Sequence, residues 1–259
     1  MVTHSISYRR ILNKMGYYAY QNGLIHNHLN QEGGWDSHLI KCRSFINRAL
    51  EYYNPEIVTV LGSGWLLDLP LAEMLEKVRK IYLVDIIHPP EVLKQAGELE
   101  NVFIVEQDIT GGLIEAVWNT KRKFTFLHKL KSLESIAITE YVPDFDPGIV
   151  ISLNILTQLE SRLIDFLKKR SDIREDEFSS FRKQIQEKHI DFLMKHRSVI
   201  ITDYAEVITK NNGEITTVST LVAELPRGRF SDEWIWDFDL KGHDYYNSRS
   251  VIKVVSIAL

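Results

Sequence analysis

The chain of 259 residues has a single cysteine, Cys42. An intramolecular disulfide is therefore excluded, and a thiolate metal cluster has no second sulfur to build on. Clusters of Lys and Arg are missing as well. With 31 Lys+Arg against 35 Asp+Glu the formal charge is −4, which gives no general signal for nucleic acid. Long apolar runs are also lacking. The stretch from Ile57 to Leu75 is broken by Gly62, Gly64, Asp68, Pro70 and Glu73, too often for a membrane span. Met1 to Arg10 has no apolar segment of the kind a secretion signal needs. No repeat or low-complexity tract is present. These absences predict a globular, cytoplasmic protein with no membrane partner, and its hydrophobic content of 44% is ordinary for that class.

What the chain has is alternation. Leu39, Cys42, Phe45, Ile46, Ala49 and Leu50 recur at helical spacing, so Trp35–Tyr53 reads as an amphipathic helix closed by Asn54-Pro55. Strands are then expected at Glu56–Leu61, Lys80–Asp85, Val102–Glu106, Ile149–Leu153 and Ser198–Thr202. Helices are expected at Leu66–Val78, Pro90–Glu98, Ile155–Lys169 and Asp176–His196. Strands alternating with helices imply a parallel sheet covered on both faces. The end differs: Ile215–Leu225 and Val251–Ala258 are strand-like with no helix between them, so they are expected to pair antiparallel.

The positions that carry chemistry cluster early. The β-branched run Ile57-Val58-Thr59-Val60-Leu61 leads into Gly62-Ser63-Gly64, and a second apolar strand ends in Asp85. Glycines at a strand-to-helix turn permit positive φ and close approach of a ligand to backbone N–H groups. A carboxylate at the end of the next strand can accept both hydroxyls of a ribose. That pairing points to an adenosine-containing cofactor. The alternative is a tight turn and a surface aspartate. A nicotinamide or flavin dinucleotide fits less well, because Leu67 stands where that fingerprint requires Gly or Ala.

The series Val60-Leu61-Gly62-Ser63-Gly64, Leu83-Val84-Asp85, Gln107-Asp108-Ile109, Ile149 to Asn154 and Val199 to Asp203 resembles a class I S-adenosylmethionine-dependent methyltransferase. The likeness extends over roughly residues 55–258. It implies that Gly62, Ser63 and Gly64 hold the methionine end of S-adenosyl-L-methionine. Asp85, with Ile86 beside it, would hold the ribose. Asp108 would meet the adenine amine while Ile109 covers the ring, and Asn154 would face the transferring methyl group. Val60 stands where the family often has an acid, and Leu66 stands where its usual third glycine would be.

Each remaining position has a plain reading beside the functional one. Asp108 sits before Thr110-Gly111, where an acid commonly caps a turn. Asn154 suits a helix N-cap. Asp68 suits the helix dipole or, alternatively, the ammonium of the cofactor. His26 and His28 have no nearby acid or cysteine to complete a metal set, so no metal is expected; His88 either borders the adenosine or acts as a base, or is a structural or solvated loop histidine. Trp35, Trp234, Trp236, Tyr245 and Tyr246 are candidates for the walls of a substrate pocket, and Trp234 and Trp236 equally for the buried face of an extended segment.

The resulting expectation is an α/β protein, with residues 1–54 forming an N-terminal helical cap. Residues 55–259 form a doubly wound, mostly parallel seven-stranded sheet ending in an antiparallel hairpin. The implied activity is methyl transfer from S-adenosylmethionine to a small or medium-sized acceptor. The alternative is a methyltransferase-like protein that binds the cofactor without catalysis, as a sensor or scaffold. A nucleotide-dependent oxidoreductase is disfavoured by Leu67 and by the terminal hairpin.

Overall fold

The computed structural model describes residues 3–31, 33–123, 130–242 and 248–259. Tyr245 and Tyr246 lie outside them. Three helices come first, α1 (Ile6–Met15), α2 (Tyr17–Asn30) and α3 (Asp36–Tyr53). The alternating part follows as β1 (Ile57–Leu61), α4 (Leu71–Lys77), β2 (Lys80–Asp85), α5 (Pro90–Gly97), β3 (Val102–Glu106), α6 (Leu113–Lys123), β4 (Ile149–Leu153), α7 (Ser161–Lys168) and α8 (Glu175–Met194). Four strands close the chain: β5 (Ser198–Lys210), β6 (Ile215–Ser219), β7 (Phe230–Asp239) and β8 (Ser248–Ala258).

The strand order is β3-β2-β1-β4-β5-β8-β7, with β6 added to β5. The first five strands are parallel, and β8 and β7 run antiparallel to their neighbours. The expected doubly wound sheet with an antiparallel end is present, but with eight strands rather than seven. The extra one is β6. It does not pair with the last strand as expected; it folds back on the far half of β5, from Ala205 to Thr209. The terminal hairpin is formed instead by β7 and β8, so the alternating Trp234-Ile235-Trp236 segment is itself a strand. Its tryptophans face inward while Ile235 is exposed, the period-2 signature of a half-buried strand.

Two expected helices are shorter than their apolar spacing suggests. Pro70 disfavours helical geometry at the residue before it, and α4 accordingly starts at Leu71. Asn154 takes a left-handed backbone, with φ of 49°, and the chain turns through Ile155–Glu160 before α7 begins. Two apolar cores flank the sheet. One unites α3 residues Leu39, Phe45, Ile46 and Leu50 with Val58, Val60, Ile81 and Leu83 of the strands. The other gathers Leu12 and Met15 of α1 with α6, α7 and α8. Among the described residues no helix is long and apolar enough to cross a membrane.

Candidate functional site

The strand order reverses direction between β1 and β4, where the crossovers on either side lead away from each other. In open α/β sheets the crevice outside the carboxyl ends of the strands at such a point is where ligands bind. A cavity of about 960 Å³, partly open to solvent, lies there. Its floor is Gly62-Ser63-Gly64 after β1, Asp85-Ile86-Ile87 after β2, and Leu153-Asn154-Ile155 after β4.

The glycine turn is tied to the second strand. Gly62 N donates to Val84 O at 2.9 Å, and Gly64 N donates to Asp85 Oδ2 at 2.8 Å. Asp85 Oδ1 accepts from its neighbour Ile86 N at 2.7 Å. Burial raises the Asp85 carboxyl to about 6, despite these backbone donors pulling the other way. Gly62 has φ of 82°, and a Cβ there would stand 2.7 Å from Leu153 O and from Ile155 Cβ. The residue is therefore dictated by packing between β1 and β4. Gly64 is different: a Cβ would meet nothing closer than Gln21 Nε2 at 3.6 Å and Asp85 Oδ2 at 3.8 Å. Its surroundings are the cavity itself. Ser63 is buried, and its hydroxyl bonds His88 Nε2 at 2.9 Å.

Asn154 is not the N-cap of a helix. Its side-chain nitrogen donates to Asp68 Oδ2 at 2.6 Å, and lies 3.2 Å from His38 Nε2. Gln158 Nε2 folds back onto its carbonyl at 2.5 Å. Burial raises the Asp68 carboxyl above the ordinary carboxylate range. His38 is stacked on Trp236 with ring centres 3.8 Å apart, and its Nδ1 receives the indole N–H of Trp234 at 3.1 Å. An indole nitrogen only donates. Nδ1 must therefore offer its lone pair, and the imidazole hydrogen sits on Nε2. Burial holds this ring neutral, lowering it to about 3.

His38, Cys42 and Asp68 bring three metal-ligating atoms within 4.8 Å of one another, a grouping invisible in the sequence spacing. The Asn154 amide nitrogen already stands among them, 3.9 Å from Cys42 Sγ, and His38 Nε2 keeps no lone pair for a metal. The arrangement is one that orients Asn154.

Of the positions named from sequence, Gly62, Ser63, Gly64, Asp85, Ile86, Asn154, Trp35 and Trp236 all line the cavity. Asp108, Ile109 and Trp234 do not. Asp108 is a turn cap, accepting from Thr110 N at 2.9 Å, Ile114 N at 3.2 Å and Tyr8 Oη at 3.3 Å. Ile109 is buried in the core beside Leu113 and Val117. Trp234 lies behind His38 and reaches the cavity only through it. Residues absent from the sequence reading supply the roof: Tyr17, Tyr20, Gln21 and Leu24 from α2, His38 from α3, and Gln158 and Arg162 around the start of α7. Spacing of 17, 20, 21 and 24 is one face of a helix, so the aromatic and polar face of α2 was readable there.

No family model matches the chain, and no curated protein matches it. Among solved structures it is similar to DhpI in complex with SAH, at 12% identity and a TM-score of 0.33, covering 95% of this chain and 97% of that one. It is also similar to the methyltransferase domain of bacterial CtHen1-CN, at 12% identity and a TM-score of 0.33, over 85% and 100% of the two chains. A precorrin 8W decarboxylase of Methanobacterium thermoautotrophicum shares 16% identity at a TM-score of 0.28, over 85% and 90%. Likenesses this distant do not say what this chain binds.

Proposed function

We propose that the protein binds S-adenosyl-L-methionine and transfers its methyl group to a small or medium-sized acceptor. The observation that carries this reading is the cavity at the reversal of strand order, which presents the Gly62–Gly64 turn and the Asp85 carboxylate on one floor. Gly62, Ser63 and Gly64 would face the methionine end, and Asp85 with Ile86 the ribose. Asp85 accepts from Gly64 N and Ile86 N and from the Ile87 backbone, which leaves one acceptor site of its carboxylate for a hydroxyl. Asn154, fixed by Asp68, would border the methyl group.

The cofactor's sulfonium makes its methyl carbon electrophilic, so the protein's work is to align the nucleophile at about 3 Å and exclude water. Aromatic walls at Trp35, Trp236, Tyr17 and Tyr20 serve that exclusion. No covalent residue is required. An acceptor that holds its proton near neutral pH needs a base, and His38 is not one, since Trp234 occupies its lone pair. That locked imidazole favours the second reading, a cofactor-binding protein without transfer.

Calorimetric titration with S-adenosylmethionine, S-adenosylhomocysteine and NAD tests the binding. The reading expects the first two to bind and NAD not to. Release of S-adenosylhomocysteine from pools of small metabolites then separates transfer from binding alone. NAD binding with no response to the other two would discard the proposal.

A further inference from the structure

Among the buried polar side-chain atoms of the cavity, four have no hydrogen-bond partner among the described residues: Tyr17 Oη, Gln21 Nε2, Arg162 Nε and Trp236 Nε1. All four carry a hydrogen to donate. The acids of the same cavity are already supplied, Asp68 by the Asn154 amide and Asp85 by Gly64 and Ile86. The unmet demand is therefore one-sided, and it is a demand for acceptor atoms. A buried donor left unpaired destabilises the site, so a ligand that supplies acceptors removes that cost.

Three of the four donors stand on the roof of the cavity, on α2 and at the first turn of α7. Arg162 is held in place there. Its guanidinium lies 4.8 Å from the centre of the Tyr20 ring, and Asp165 takes Nη2 at 2.6 Å, which leaves Nε–H pointing elsewhere. Tyr17 lines the same cavity as Arg162, and its buried hydroxyl has no partner among the described residues. A fixed cation with a free N–H beside a buried hydroxyl is a receptor for an anion. Tyr20 and Leu24 add flat, apolar surface next to it.

We infer that the α2–α7 side of the cavity binds the anionic group of a small organic carboxylate, with Arg162 and Tyr17 as its donors. The carboxylate belongs either to the methyl acceptor or to the methionine end of the cofactor; naming the acceptor rests on the function proposed above, while the anion site does not. Benzoate and its neutral isostere benzamide are the probes, titrated into the full-length protein with and without S-adenosylhomocysteine. S-adenosylhomocysteine and 5′-methylthioadenosine, which lacks the amino-acid carboxylate, form the second pair.

If the carboxylate is the acceptor's, the S-adenosylhomocysteine-loaded protein prefers benzoate over benzamide by about tenfold or more. Arg162→Gln abolishes that preference, Tyr17→Phe reduces it, and Arg162→Lys keeps part of it. If the carboxylate is the cofactor's, the loaded protein shows no preference. Arg162→Gln then weakens S-adenosylhomocysteine by a similar factor and leaves 5′-methylthioadenosine unchanged. Should wild-type protein bind neither nucleoside, the proposed function fails, and the benzoate–benzamide comparison on the unloaded chain still decides the anion site. Equal binding of both members of each pair, in wild type and in an Arg162→Gln protein that melts normally, overturns the inference.

Discussion

Two glycines two residues apart have different reasons to be glycine, and substitution separates them. At Gly62 a Cβ would collide with Leu153 O and Ile155 Cβ at 2.7 Å, and the main-chain atom cannot give way. Gly62→Ala is expected to lower stability by several kcal/mol, on the order of a large core disruption, read as a loss in denaturant midpoint. Gly64→Ala strains a φ of 44° but meets nothing closer than Gln21 at 3.6 Å. It should stay folded and lose cofactor affinity instead, seen as a flat calorimetric titration. Asp85 makes a pH prediction. Its carboxyl is raised by burial from 3.8 to about 6. Between those values the folded state binds more protons than the unfolded state, so stability falls as pH rises from about 4 to about 6. Asp85→Asn removes that dependence. The unfolding free energy of the variant relative to wild type should therefore improve by about 2–3 kcal/mol between pH 4 and pH 7.5, while its cofactor affinity drops. A difference that does not vary with pH would show that Asp85 is ionised without cost. The glycines, Asp85 and Asn154 were legible because strand, turn and acid follow one another in sequence. Asp108 follows β3 in the same order, and there its carboxylate is taken up by Thr110 N–H and Ile114 N–H. His38 was unreadable, since its chemistry comes from Trp234, distant in sequence, and a single indole hydrogen.

Helices and strands differ in how firmly they are held. α3 buries Leu39, Cys42, Phe45, Ile46, Ala49 and Leu50, whereas α2 has no buried residue at all. α2 is entered through Gly16, left-handed at φ of 86°, and is tied down by polar links: Trp65 Nε1 to Gln21 O at 3.0 Å, and Tyr20 Oη to Gln158 Oε1 at 3.3 Å. An element with few apolar contacts opens at lower free energy than the core. Amides of α2 are expected to exchange with solvent at least about tenfold faster than those of α3. S-adenosylhomocysteine should slow α2 selectively, because Tyr17, Gln21 and Leu24 face the ligand. Equal protection of the two helices would mean that α2 is a fixed wall. The parallel strands were legible from their β-branched runs, and α3 from its spacing. α1 and α2 were not assigned: α1 buries only Leu12 and Met15 and α2 buries no whole residue, so neither has much apolar period, and the face of α2 is aromatic and polar instead. The pairing of β6 was also hidden. Five exposed residues carry no inward face, so nothing in their pattern fixes which edge they join.

At the scale of the molecule, the boundary at residue 54 divides the sequence where its pattern changes, but the packing divides the helices differently. α3 is part of the same core as β1 and β2. Its four large buried residues, Leu39, Phe45, Ile46 and Leu50, account for roughly 6–12 kcal/mol of transfer free energy at ~1.5–3 kcal/mol each. That is comparable with the whole net stability of a domain, about 5–15 kcal/mol. α1 contributes only Leu12 and Met15, roughly 3–6 kcal/mol by the same measure, and α2 contributes almost nothing to the core. A chain lacking residues 1–53 is therefore expected to expose one face of the sheet and aggregate. A chain lacking residues 1–30 should fold with a reduced melting temperature. It keeps the glycine turn, Asp85 and Asn154, and loses the roof over them, including Tyr17 and Gln21. Calorimetry on the shorter deletion should find cofactor binding weakened rather than absent, and methyl transfer abolished, because water then reaches the place where the acceptor must align. Full transfer by the chain lacking residues 1–30 would show that the sheet edge alone builds the site. Folding of the chain lacking residues 1–53 would show that α3 covers the core without stabilising it.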